Sequence, residues 1–90
     1  MKEQILKYLE LSPNRGYYDL CKIFGLSMKK LFKILNIKNY IIEDSYIEFY
    51  DNNDNRIYWE GTKGKWYKWE YNDKGKLVKT EDSYGYILNY

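Results

Sequence analysis

A cluster of polar side chains suited to binding phosphate lies between Ser27 and Asn36. Lys29, Lys30 and Lys33 occur there at helical spacing. At about 100° per residue, these lysines share one side of a helix and the apolar residues of the segment take the other. Lysine ammonium groups favour contact with phosphates. The segment therefore predicts a face that could bind phosphates.

Most catalytic chemistry is excluded by composition. The 90 residues include no His and a single Cys, Cys21, which excludes a zinc site, a disulfide framework and a His-dependent nucleophile. Asp51 to Asn55 begins like a calcium loop. Arg56 replaces the required Gly, however, and Thr62 replaces the bidentate Glu, so we interpret the segment as a turn. No general base accompanies a nucleophile. We expect no catalytic residue, metal site or cofactor.

Hydropathy and cysteine usage favour an intracellular protein. No apolar run approaches the roughly 18 residues that a membrane span needs, and Met1 to Glu10 lacks the apolar core of a signal peptide. A lone cysteine agrees with a reducing compartment. The many Asn, Lys, Tyr and Ile residues would suit an AT-rich phage or a low-GC bacterium. We therefore expect a protein of the bacterial host cytoplasm, with no membrane partner.

Charged and aromatic residues divide the chain near residue 40. Residues 1–40 carry eight basic and three acidic side chains, whereas residues 41–90 carry seven basic and ten acidic ones. Twelve of the eighteen aromatic residues lie between Tyr46 and Tyr90. No Gly/Ser-rich or Pro-rich linker marks the change. We predict two subdomains, 1–39 and 40–90, packed as one small unit.

Three short amphipathic helices are predicted in the first subdomain. The first extends from about Lys2 to Leu11, the second from Tyr17 to Phe24 and the third from Met28 to Leu35. Gly25 can end the second helix, and Ser27 can cap the third. We count Tyr17 as the first position of a unit in which two helices cross next to a turn. Small or apolar residues then stand at the positions where such a unit requires them. These residues are Leu20, Cys21, Phe24, Gly25, Leu26, Leu31 and Ile34.

With that spacing, the segment Tyr17 to Asn36 resembles the helix-turn-helix family of DNA-binding proteins. The resemblance implies that the third helix enters the major groove of double-stranded DNA. In that groove the amide of Asn36 could read adenine through two hydrogen bonds, whereas lysines favour phosphates, so base discrimination would be modest. Met28 and Phe32 stand where many family members have polar base-reading groups. Whether these two face DNA, the sheet or a partner stays open at this stage. The residues expected to contact DNA are Arg15, Tyr17, Lys22, Ser27, Lys29, Lys30, Lys33 and Asn36.

The second subdomain contains a repeat of 21 residues. Residues 49–69 align with residues 70–90, so that Tyr50 matches Tyr71 and Gly64 matches Gly85. Each copy predicts a turn, a strand, a turn and a strand, which makes an antiparallel β-meander of five or six strands. The copies resemble the YD-type aromatic strand repeats of bacterial shells and small phage proteins. The predicted strands are Tyr40 to Glu43, Tyr46 to Tyr50, Arg56 to Glu60, Lys65 to Tyr71, Lys76 to Glu81 and Tyr86 to Tyr90.

Aromatic side chains are expected on both faces of this meander, because they occur at odd and even positions of its strands. Three interpretations follow: an exposed protein-binding surface, cross-strand ladders that hold the sheet together, or a stacking platform for nucleic acid. The acidic balance of the sheet counts against the third. The residues assigned to a protein-binding surface are Tyr58, Trp59, Trp66, Tyr67, Trp69, Tyr84 and Tyr86.

The predicted fold is α+β, with a three-helix helix-turn-helix followed by the meander and the hairpin Tyr46 to Glu60 as a candidate wing. The leading expectation is a non-enzymatic, repressor-like DNA-binding protein of a phage or mobile element, acting as a homodimer on a symmetric site. The alternative is an inhibitor of host defence, such as an anti-CRISPR protein. Its acidic aromatic sheet would occupy a basic nucleic-acid groove on a target such as a Cas effector.

Overall fold

Over residues 1–12 and 16–90, which the computed structural model describes, three helices precede a six-stranded sheet. The strands lie side by side in chain order, and each pairs antiparallel with the next. The predicted α+β fold is confirmed at this level. The elements are α1 (Lys2–Leu11), α2 (Tyr17–Phe24), α3 (Met28–Ile34), β1 (Tyr40–Ile42), β2 (Tyr46–Tyr50), β3 (Arg56–Gly61), β4 (Trp66–Tyr71), β5 (Leu77–Asp82) and β6 (Ile87–Asn89).

The chain divides into a helical unit, Met1–Lys38, and a sheet unit, Asn39–Tyr90. The division lies one residue before the predicted boundary. Each helix of the helical unit contributes one fully buried aliphatic side chain to its core: Ile5, Leu20 and Leu31. Full burial of such a side chain contributes about 1.5 to 3 kcal/mol. The helical periodicity of the sequence therefore produces one shared core among the three helices.

The connection between α2 and α3 depends on Gly25. Its backbone is left-handed, with φ 64° and ψ 39°, a conformation that glycine adopts without a Cβ penalty. The N–H of Leu26 donates to the carbonyl of Cys21 across this turn at 3.0 Å. The Ser27 hydroxyl then accepts the N–H of Lys30 at 3.2 Å, which caps α3. Both signals read from the sequence, the Gly that ends α2 and the Ser that caps α3, act at the expected positions.

The sheet unit repeats its backbone geometry as well as its sequence. A register shift between Phe49 and Tyr50 recurs 21 residues later, between Glu70 and Tyr71. Four hairpin turns share one pattern, in which the first residue's N–H donates to the carbonyl four residues on and the fourth residue is left-handed. The four left-handed residues are Asp54, Gly64, Gly75 and Gly85.

Asp51 organises the first of these turns through its carboxylate. Its Oδ1 accepts the backbone N–H groups of Asn53 and Asn55, both at 2.9 Å. In the next copy, the amide oxygen of Asn72 accepts the equivalent N–H groups, at 2.9 and 3.0 Å. The N–H of Asn55, and then that of Asn53, hold the pKa of Asp51 below its ordinary value of 3.8, because they stabilise the charged carboxylate. The candidate calcium ligand is therefore a turn-forming group.

Replacing Asp51→Asn is expected to leave the fold intact and to reduce its sensitivity to acid. A carboxyl group whose pKa is lowered by folding adds stability above its ordinary pKa, and that stability is lost as the pH falls below 3.8 toward the folded value. The amide cannot titrate, yet it can accept the same N–H groups, as Asn72 does. Urea unfolding followed by tryptophan fluorescence should show a smaller loss of stability on acidification in Asp51→Asn. Identical pH profiles would contradict this role for Asp51.

Candidate functional site

We use the name lysine surface for four exposed lysines of the helical unit: Lys22 in α2, and Lys29, Lys30 and Lys33 in α3. Lys29 and Lys33 are four residues apart in α3 and therefore lie on one face. The helix contains no acidic residue. Within the part of the chain that the structure describes, none of the four lysines takes part in an ion pair. Like charges at this spacing cost about 0.2 to 0.5 kcal/mol per pair, a cost that a bound anion would offset.

The other side of α3 is used for packing. Phe32 is fully buried and lies edge-to-face with the ring of Tyr17, the ring centroids 6.2 Å apart. Met28 packs against the helical core, and its sulfur lies 3.7 Å from the Cys21 Sγ. Phe32 is therefore not available to DNA, which answers for this residue the question that the sequence left open. Tyr17, assigned to DNA from the sequence, is half-buried and also packs against the core.

Asn36 is exposed but does not belong to the helix that carries the lysines. The helix α3 ends at Ile34, and Asn36 has a left-handed backbone with φ 60°. Asparagine tolerates this conformation and so can end a helix. The helical projection that placed Asn36 beside the lysines therefore does not apply to it, which weakens its assignment as a base reader. Arg15, also assigned to DNA, lies outside the described residues.

Ser27 occupies the position expected from the sequence, immediately before α3. Its residue is exposed, and its hydroxyl accepts the N–H of Lys30. The hydroxyl hydrogen is still able to donate, because the cap uses only an acceptor site. The structure thus brings Ser27 and the exposed lysines of α3 onto one short helix and its first turn.

A second candidate surface is a row of four aromatic rings on one face of the sheet, which we call the aromatic strip. Successive ring centroids lie 6.2, 5.7 and 6.1 Å apart. The rings of Tyr46, Trp59 and Trp69 are half-buried, whereas that of Tyr67 is exposed. Gly61 permits this packing, because a Cβ there would lie 2.8 Å from the ring of Trp59. In order, the strip consists of Tyr46, Trp59, Tyr67 and Trp69.

A charged pair closes one end of the aromatic strip. The guanidinium carbon of Arg56 lies 4.5 Å from the centroid of the Trp69 ring, and its Nη1 lies 3.1 Å from Glu48 Oε2. Arg56, Trp59, Tyr67 and Trp69 line a cavity of about 330 Å³. Aromatic and arginine side chains of this kind dominate the binding energy of protein interfaces. The strip therefore has the composition of a protein-binding surface.

On the opposite face of the sheet, Phe49, Tyr58 and Trp66 are buried and form a second aromatic ladder. The ring centroids of Phe49 and Tyr58 lie 5.2 Å apart, and those of Tyr58 and Trp66 lie 6.4 Å apart. The Tyr58 hydroxyl donates to buried Glu60 Oε1 at 2.6 Å. The structure thus corrects the assignment of Tyr58 and Trp66 to a protein-binding surface, because both side chains are buried.

Tyr84 and Tyr86, the last two residues assigned to a protein-binding surface, are strongly exposed. Tyr84 lies in the turn after β5, where its ring centroid is 6.0 Å from the Lys65 Nζ.

Two residues of the aromatic surface were not predicted from the sequence: Tyr46, the first ring of the strip, and Arg56, which stacks on Trp69. The alternation of side chains along β2 could have placed Tyr46 on this face of the sheet. The position of Arg56 depends on the register shift at Tyr50, which no residue pattern in the sequence predicts.

Within residues 1–12 and 16–90, no three His, Cys, Asp or Glu side chains are grouped so that they could hold a metal ion. Over the same residues, every helix is too short or too polar to cross a membrane. The two candidate surfaces are thus the lysine surface and the aromatic strip. Comparison with protein-family models, with curated proteins and with solved structures finds no match to the chain.

Proposed function

We propose that the protein binds double-stranded DNA through the lysine surface, as a small repressor-like protein of a phage or mobile element. The observation that carries the proposal is the set of exposed lysines in α2 and α3, which lack ion-pair partners within the described residues. Residues 1–38 carry eight basic and three acidic side chains, so the helical unit as a whole is positive. Such a unit attracts the phosphate backbone over distances longer than a single contact.

The mode of binding follows from α2, Gly25 and α3 acting as a helix-turn-helix. In that arrangement α3 lies in the major groove, where Lys29 and Lys33 reach phosphates and the Ser27 hydroxyl donates to another. With Phe32 buried, lysine–phosphate contacts make up most of the interface. Lysine contacts position a protein without reading sequence, so discrimination between DNA sequences is weak. In this mode of binding, the hairpin of β2 and β3 does not contact DNA as a wing. Its turn carries Asp51 and Asp54, whose carboxylates the phosphates would repel.

Fluorescence anisotropy with a labelled random-sequence duplex tests the proposal. At low salt, wild-type protein is expected to bind with a dissociation constant of roughly 10⁻⁶ to 10⁻⁴ M, the range of non-specific protein–DNA complexes. A constant anisotropy at low salt, with folded protein in excess, would exclude DNA binding by the lysine surface.

The aromatic strip favours a second candidate function, the inhibition of a host defence protein such as a Cas effector. The sheet unit carries seven basic and ten acidic side chains and therefore has the charge sign that suits a basic nucleic-acid groove. The strip adds the aromatic side chains and the arginine that interfaces use as anchors. Under this function the contacts come from the sheet unit, and the lysine surface is not needed.

Affinity capture from nuclease-treated host lysate separates the two functions. A defence protein retained by wild type and by the Lys29→Glu, Lys33→Glu variant, but lost with Trp59→Ala, Trp69→Ala, supports the inhibitor. Because nucleic acid is removed, DNA-bridged proteins do not remain on the column. Loss of the same protein with the lysine variant would contradict this second function.

A further inference from the structure

The edge strand β6 and its flanks carry the longest uncharged, exposed apolar stretch that the structure describes. Between Tyr84 and Tyr90 there is no charged residue. Tyr86 is 71% exposed and Leu88 59% exposed. Natural edge strands usually carry charges, proline or a bulge, which prevent another strand from pairing with them. The opposite edge, β1, fits this rule, since Lys38, Glu43 and Asp44 lie close to its ends.

Some backbone N–H and C=O groups of β6 point away from β5 and are available for pairing with another strand. The carbonyl of Tyr86 accepts the N–H of Asp82 at 3.1 Å, and the N–H of Tyr90 donates to Val78 at 3.0 Å. These bonds are directed toward β5. In an antiparallel strand, the N–H and C=O groups of successive residues point alternately to one side of the strand and to the other. The N–H and C=O groups of Ile87 and Asn89 therefore lie on the outer side of β6. Among the described residues, no strand pairs with that side.

The residue sequence of β6 is suited to antiparallel pairing with itself. A two-fold axis at Leu88 places Ile87 opposite the partner's Asn89, as a hydrogen-bonded pair in which each residue uses its outward N–H and C=O. The same axis places Leu88 opposite the partner's Leu88, and Tyr86 opposite the partner's Tyr90. Aromatic and aliphatic cross-strand pairs stabilise a sheet, and no like charges meet in this register.

We propose that two copies of the chain associate through β6, so that their sheets join into one antiparallel sheet about a two-fold axis at Leu88. The side chains of Leu88 and Thr80 share a face of the sheet with Trp69 of the aromatic strip. The joined sheet thus brings the two aromatic strips onto one continuous face. The proposal does not depend on DNA binding, and its test is made without DNA.

Light scattering coupled to size-exclusion chromatography, at micromolar concentration, provides the test. Wild type is expected at twice the chain mass of 11.1 kDa. Leu88→Lys and Leu88→Glu are each expected at the mass of one chain, because like charges then face each other at the axis. An equimolar mixture of the two variants is expected to regain the double mass, since Lys and Glu then pair across the axis.

The matched control is Ile41→Lys, which adds the same charge to the exposed central residue of β1 at the other edge. This control is expected to keep the double mass. A monomeric wild type would overturn the proposal, and so would a Leu88→Lys variant that keeps the double mass. Failure of the two Leu88 variants to combine, while far-UV circular dichroism shows both folded, would overturn the two-fold register.

Discussion

Reversing the charge of Lys29 and Lys33 together is expected to weaken binding to duplex DNA by roughly 100-fold at low salt. Both side chains are exposed on one face of α3. If α3 binds DNA as proposed, each substitution removes a phosphate contact and adds repulsion between a carboxylate and the phosphate backbone. Fold stability should be nearly unchanged, because the repulsion between two lysines four residues apart is replaced by a similar repulsion between two glutamates.

A matched control changes the same net charge elsewhere. Lys63 and Lys74 are exposed and occupy equivalent positions in two hairpin turns of the sheet unit. Replacing both by Glu is expected to weaken DNA binding only slightly, through the long-range field. Fluorescence anisotropy on one labelled duplex compares the two double variants with wild type. Equal losses of affinity would show that net charge alone determines binding, and would contradict a specific role for the lysine surface.

Replacing Leu31→Ala is expected to destabilise the helical unit by about 2 to 5 kcal/mol. Leu31 is fully buried with Ile5 and Leu20 in the core that joins the three helices. A cavity in so small a core is serious, since a domain of about 40 residues rarely has stability to spare. The helical signal in far-UV circular dichroism should therefore be lost at a much lower urea concentration than in wild type.

The control for this change is Leu11→Ala in α1, at a side chain that is 73% exposed. Its effect on stability is expected to stay within about 0.5 kcal/mol. All three tryptophans lie in the sheet unit, so tryptophan fluorescence follows that unit while circular dichroism follows the helices. An unfolding midpoint for Leu31→Ala equal to that of Leu11→Ala would contradict the assignment of the core.

Local residue patterns were sufficient to predict most of the elements. The bounds of α1 and α2 agree with the prediction, because Ser12 follows the first helix and Gly25 ends the second. The strands also agree within one residue at every end, because turn-forming residues separate them at regular intervals. These signals are local: a cap, a turn residue or an alternation acts over a few positions of the chain.

The burial of individual aromatic residues could not be predicted in the same way. Alternation places Trp66 and Trp69 on opposite faces of β4, but it does not say which face is buried. Likewise, helical periodicity put Phe32 at the border of the apolar arc, and only the tertiary structure shows it fully buried. The stacking of Arg56 on Trp69 needs the register shift between β2 and β3, which depends on pairing across strands.

The salt dependence of DNA affinity tests the central claim most directly. Each phosphate neutralised by a lysine contributes about −0.9 to the slope of log K against log salt concentration. The lysine surface therefore predicts a slope of roughly −3 or steeper for wild type, made shallower by about 2 in Lys29→Ala, Lys33→Ala. A wild-type slope near zero, or one left unchanged by the double substitution, would contradict DNA binding through α3.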